Sequence, residues 1–198
     1  MALKYKFSTI FYDMGGQYSL SLDSSKISQT QTIVPRLDYS NNLISQIIQV
    51  LKSKKALLKK SNKQLLQYED NDLICLRAID VERRVSYSLE TLFQIQQKME
   101  SISRIDAIPK LFPSIVPVLR TISAQLVDVE PESSQKLSEL SVHLGSIVLD
   151  SAAITKAQFD FVQSSHESST LLDEVKLMVD SKINKQYAHL DFFAVVSN

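Results

Sequence analysis

The chain of 198 residues has one cysteine, three glycines, five prolines and no tryptophan, and each shortage closes a class of answer. A single thiol, Cys75, allows no disulfide framework and no cysteine pair for zinc or redox work, and the usage suits a reducing interior. Three glycines are too few for a turn-rich β-sandwich or barrel, or for the usual glycine-rich phosphate loops and nucleophile elbows. No apolar stretch approaches the roughly 20 residues needed to cross a bilayer, and the first residues lack the unbroken apolar core of a secretory signal. His143, His166 and His189 each lack a second ligand-type side chain three or four residues further on, the spacing a helical metal site uses. These absences predict a cytoplasmic, all-α chain that is not an enzyme, with no catalytic residue, no metal and no cofactor. Cys75, within Leu73-Ile74-Cys75-Leu76, reads as a small core residue. Glu82, beside Arg83 and Arg84, reads as half of a local ion pair.

Charge is neutral overall but unevenly placed. Residues 1 to 63 carry ten Lys or Arg against three acids, +7, and residues 128 to 198 carry five against eleven, −6. Six of the lysines, Lys52, Lys54, Lys55, Lys59, Lys60 and Lys63, stand within twelve residues. They overlie an apolar repeat of seven, Leu37, Ile44, Leu51, Leu58 and Leu65, which points one stripe of a helix at a partner helix over several turns. At 100° per residue Lys52, Lys55, Lys59 and Lys63 fall within roughly 80° of each other, about a quarter turn from that stripe. Such a helix packs on one side and meets an anionic surface on the next. Phosphates of a membrane or of a nucleic acid would attract it equally. Base reading usually wants Arg or Asn forks or an aromatic platform, so a lysine-only face fits nonspecific contact, and an anionic membrane is the expected partner over nucleic acid. A nonspecific nucleic-acid scaffold and a helical tether without ligand are the other two readings of the same pattern.

Residues 1–34, rich in Ser, Thr and Gln, read as an arm outside the core. Its opening sets Lys4 and Lys6 among Phe7, Phe11 and other bulky residues, as interfacial membrane segments do. Residues 35–105 read as a long antiparallel helical hairpin: one helix from about Leu37 to Glu69, turn residues Asp70-Asn71-Asp72, and a second helix toward Arg104. Residues 106–198 read as shorter helices ending in an acidic regulatory helix. Pro109, Pro113 and Pro117, four residues apart, predict an elbow, with a short helix from Pro113 or Pro117 through Leu126. A further helix is expected from Glu132 to about Asp150. Ser164 to Ser169, with Ser164 and Ser168 as marker positions, reads as a polar hinge before a last helix from Thr170 to Tyr187.

The runs IPKLFPSIVPVLRTISAQL and PESSQKLSELSVHLGSIVLD resemble the archaeal ESCRT-III cell-division proteins, the CdvB family. The similarity covers roughly residues 40 to 190 and rests on helix order, basic-then-acidic polarity and the pattern Pro109, Pro113, Pro117, Arg120, Leu126, Pro131 and Leu137 to Asp150. The resemblance implies a five-helix core that polymerises on membrane into curved filaments with copies of itself and with ESCRT-III paralogues, in division, vesicle budding or related scission. It also implies a peripheral location at the division-site membrane, and a closed form in which the C-terminal helices fold onto the hairpin. The opposite charges of the two halves offer a cause for that closure, with Pro109, Pro113, Pro117, Ser164 and Ser168 as polymer or hinge positions. Family members that recruit the AAA-type disassembly ATPase use a C-terminal leucine-and-basic helix or proline-rich strand. Ala188 to Asn198 matches neither.

Overall fold

The computed structural model describes residues 24–68, 72–102, 104–158 and 161–188, and these form five α-helices and one short 3-10 helix, with no strand among the described residues. Two long helices come first, α1 (Ser24–Tyr68) and α2 (Asp72–Glu100). They run antiparallel, because Gln96 Nε2 donates to Ser45 Oγ at 3.1 Å while Asn62 Nδ2 donates to the Ala78 carbonyl at 3.1 Å. At 1.5 Å per residue α1 is about 68 Å long. It starts before the boundary expected for the N-terminal arm, and Ile33 is fully enclosed. The reason is periodic: Ile33 lies one turn before Leu37 and extends the same buried stripe, while Pro35 points outward and is exposed. Lys4, Lys6, Phe7 and Phe11 lie outside the described residues.

The expected proline elbow is corrected by the third helix. α3 (Ile108–Leu126) runs unbroken with Pro113 and Pro117 inside it, and the break comes earlier, at the 3-10 helix Ile105–Ala107. Pro109 sits in the first turn, where an N–H has no helical acceptor to lose. Pro113 and Pro117 each forfeit one helical hydrogen bond, costing about 3 kcal/mol apiece in an isolated helix. Against that, Phe112, Ile115, Val118, Leu119, Ile122 and Leu126 are all enclosed to 1% exposure or less. At about 1.5–3 kcal/mol per buried side chain, packing wins and the helix continues through its prolines.

α4 (Pro131–Thr155) folds back on α3, making the most extensive helix contact in the molecule. Serines allow the close approach: Ser123 and Ser134 exchange hydroxyl-to-carbonyl bonds of 2.8 Å in both directions. Gly145 lies inside α4 and does not stop it; Lys156, at φ 55°, does. By length and composition alone α4 is apolar enough to cross a membrane, contrary to the reading of the sequence, because small residues between its Leu, Ile and Val dilute charge without forming an apolar run. Its Leu137, Leu140, Leu144 and Ile147 are spent inside the bundle at 0% exposure. α4 also runs antiparallel along α1, with Arg36 on Asp150 at 2.5 Å near one end and Lys54 on Glu130 at 3.3 Å near the other.

α5 (Phe161–Tyr187) is continuous through the expected hinge. Its hydroxyls turn back onto the helix instead of breaking it: Ser168 donates to the Ser164 carbonyl at 2.6 Å and Thr170 to that of His166 at 2.9 Å. Ser168 also bonds the Ser114 carbonyl of α3 at 2.8 Å. α5 packs chiefly on α3 and α2, so α3 touches α2, α4 and α5 and forms the centre of the bundle.

Candidate functional site

The lysine row lies where α1 leaves the bundle. Lys54 pairs with Glu130, the residue just before α4, and beyond it α1 packs on α2 and, at Asn62, meets α5, with its remaining positions exposed. Lys52, Lys59, Lys60 and Lys63 are exposed; Lys54 and Lys55 are half-buried. Lys52 Nζ lies 4.9 Å from the centre of the Phe93 ring, a cation–π contact that holds the ammonium against α2 while the residue stays exposed. Burial pushes the Lys55 ammonium below its ordinary value, with Lys182 and Lys59 adding to the fall and Glu82 and Glu90 opposing it. Of the six, only Lys54 has a carboxylate within salt-bridge distance among the described residues. The exposed four are therefore free to meet an anionic surface.

Beside this row sits a buried polar cluster that the sequence reading missed. Glu82 of α2 is 0% exposed and accepts three hydrogen bonds: from Asn62 Nδ2 of α1 at 2.8 Å, from the Tyr187 hydroxyl of α5 at 2.5 Å and from Gln186 Nε2 of α5 at 2.9 Å. The local ion pair expected for Glu82 is absent; Arg83 turns to Asp180 at 3.2 Å, and Arg84 to Asp80 and Asp128, each at 3.1 Å. Burial and the hydrogen bond to Glu82 raise the Tyr187 hydroxyl to about 12. The sequence carried no clear signal for it: the positions four after Leu37, Ile44, Leu51 and Leu58 are Asn41, Ile48, Lys55 and Asn62, so a polar residue there does not single out Asn62.

α5 reaches α1 at this cluster and otherwise lies on α2 and α3, leaving Lys52, Lys59, Lys60 and Lys63 exposed. Its attachment is mainly apolar: Leu171, Val175, Val179, Ile183 and Tyr187 recur every four residues and are 1–8% exposed. The ion pairs across that seam, Arg83 with Asp180 and Lys182 with Glu90, are partly exposed and of opposite polarity to one another. Pairs of that kind are each worth about 0–1 kcal/mol, so charge attraction between the halves is a minor cause of closure beside the buried stripe. Pro113 is half-buried and Pro117 exposed on α3, Pro109 is buried, and Ser164 and Ser168 lie on the first turns of α5 facing α3. His143 stacks edge-on against Tyr39 with ring centres 5.4 Å apart, and Cys75 is buried. Among the described residues no group of three His, Cys, Asp or Glu side chains could hold a metal ion. No protein-family model matches the chain, and no solved structure matches it.

Proposed function

We propose that the chain is an ESCRT-III-like subunit that binds anionic membrane through the lysine row and polymerises there with its own copies and with paralogues, taking part in membrane constriction or scission. The observation that carries this reading is the placement of Lys52, Lys59, Lys60 and Lys63, exposed at the end of a long helical pair with no carboxylate in salt-bridge distance among the described residues. The likeness of residues 40 to 190 to the CdvB family supports it, as do the long α1–α2 pair and the closing of α5 over α2 and α3. A compact enzyme has little use for such a projection, whereas a filament subunit needs surface for neighbours on several sides. Each Lys near an anionic bilayer contributes about 1 kcal/mol, so one chain binds weakly and a polymer holds by many copies. In this reading α5 is a regulatory helix: released from Glu82, it frees the apolar stripes of α2 and α3 for a neighbouring chain.

Co-sedimentation with vesicles tests the proposal. The chain should pellet with phosphatidylserine-containing vesicles at low salt and not with purely phosphatidylcholine ones. Replacing Lys52, Lys59, Lys60 and Lys63 by Ser should lower that affinity by about two to three orders of magnitude. Equal behaviour toward both vesicles would remove the membrane reading, and displacement of the vesicles by duplex DNA at physiological salt would favour the nucleic-acid scaffold.

A further inference from the structure

One turn of α2 holds a cation from each of two other helices. Glu90 and Phe93, three residues apart, are neighbours on one side of α2, with Cβ atoms about 5–6 Å apart. Lys52 Nζ of α1 lies 4.9 Å from the centre of the Phe93 ring, and Lys182 Nζ of α5 lies 3.3 Å from Glu90 Oε2. Lys55 and Lys59 follow Lys52 along α1 within about 60° of it around the axis. Burial first, and then Lys182 and Lys59, push the Lys55 ammonium down against the pull of Glu82 and Glu90, so cations of both helices lie within electrostatic reach of it. Four ammonium groups thus share this edge with two carboxylates. Glu82 already accepts three hydrogen bonds, and Glu90 is bound to Lys182. Lys182 keeps 59% of its side chain exposed, and Lys52 and Lys59 are exposed as well.

We infer that Lys52, Lys55 and Lys59 of α1 and Lys182 of α5 together bind a compact anion carrying several phosphates, and that this anion holds α5 docked. Several phosphates on one small molecule suit cations spread over two helices, where a single charge would satisfy one lysine. α5 brings Lys182 to the edge only while it is docked. An anion that touches both helices therefore binds the docked form better, and linkage requires that it stabilise docking by the same factor. The inference adds regulation to the lysine row of the proposed function, and the two fail separately. A chain that ignores phosphatidylserine vesicles yet binds the anion through Lys182 would remove only the membrane reading.

Titration calorimetry of the full chain with sodium tripolyphosphate tests it, in about 150 mM NaCl to screen distant charge. One-site binding is expected, with Kd about 0.1–1 mM. Lys182→Gln should weaken it about fivefold. Lys176→Gln removes the same charge from an exposed position about 120° around α5, and should leave the affinity within about twofold, with circular dichroism unchanged in both variants. Saturating tripolyphosphate should slow hydrogen exchange of the α5 amides by the factor that Lys182→Gln costs in affinity, and should not slow it in that variant. A phosphorylated lipid headgroup offers the same chemistry, so phosphatidylcholine vesicles carrying phosphatidylinositol bisphosphate form a second arm. Pelleting weakened by Lys182→Gln assigns the lipid as the source of phosphate; unchanged pelleting beside weakened tripolyphosphate binding assigns the free anion. Failure of both probes to bind, losses equal for the two variants, or α5 exchange unmoved by bound tripolyphosphate would each overturn the inference.

Discussion

At the scale of the residue, the decisive position is Glu82, a carboxylate with no exposed surface held by three donors from two other helices. Removing one donor leaves a buried acceptor short of a partner, at a cost of about 1–3 kcal/mol. Tyr187→Phe should therefore lower stability by roughly that amount in urea unfolding while circular dichroism at low denaturant stays the same. The pH response follows from the same contact. The Tyr187 hydroxyl rises from an ordinary 10.0 to about 12 in the folded chain. The native state then holds its proton where the unfolded chain has lost it, so this contribution is whole below pH 10 and is lost as pH climbs through 12. Urea midpoints between pH 9 and 12 should fall more steeply in the parent chain than in the Phe variant; parallel curves would contradict the assignment. Sequence alone showed the neighbours of this cluster but not the cluster. Tyr187 continues the four-residue stripe of α5 and Asn62 stands between Leu58 and Leu65 of the α1 repeat, yet nothing local to Glu82 says that two other helices converge on it.

At the scale of the element, periodicity was legible and boundaries were not. The lysine face and the buried stripe of α1 follow from spacing alone, because the angle between residues is fixed by the helix. The proline and serine positions were misread for one reason: local propensity was allowed to outvote burial. Pro113 and Pro117 sit in a helix whose inner face is almost wholly enclosed, and Ser168 and Ser169 satisfy their hydroxyls on carbonyls of the helix itself. A prediction follows for α3. Pro117 is exposed, and replacing it with Ala restores the missing N–H toward the Pro113 carbonyl without touching the core. Pro117→Ala should stabilise the chain by about 1–3 kcal/mol, read as a raised urea midpoint at unchanged slope. A loss of stability would mean that the imide ring, and not the backbone bond, is what α3 needs at that site.

At the scale of the whole molecule, the all-α class was readable from composition and the projecting lysines from spacing. The way α5 closes was not, since the charge asymmetry drew attention to ion pairs that carry little energy. Closure rests instead on an apolar seam finished by the Glu82 cluster, next to exposed lysines that α5 leaves uncovered. Under the proposed function, membrane contact and opening are then separable: the lysines are exposed while α5 is docked, and release of α5 would supply contacts between copies. Removing residues 165 to 198 should accordingly raise light scattering at a given protein concentration through exposure of the α2 and α3 stripes, even without lipid. The most direct test of the account is electron microscopy of the full chain and its Tyr187→Phe variant on phosphatidylserine-containing vesicles. Continuous filaments on the vesicle surface, denser for the variant, are the predicted result; vesicles left bare by both proteins would contradict it.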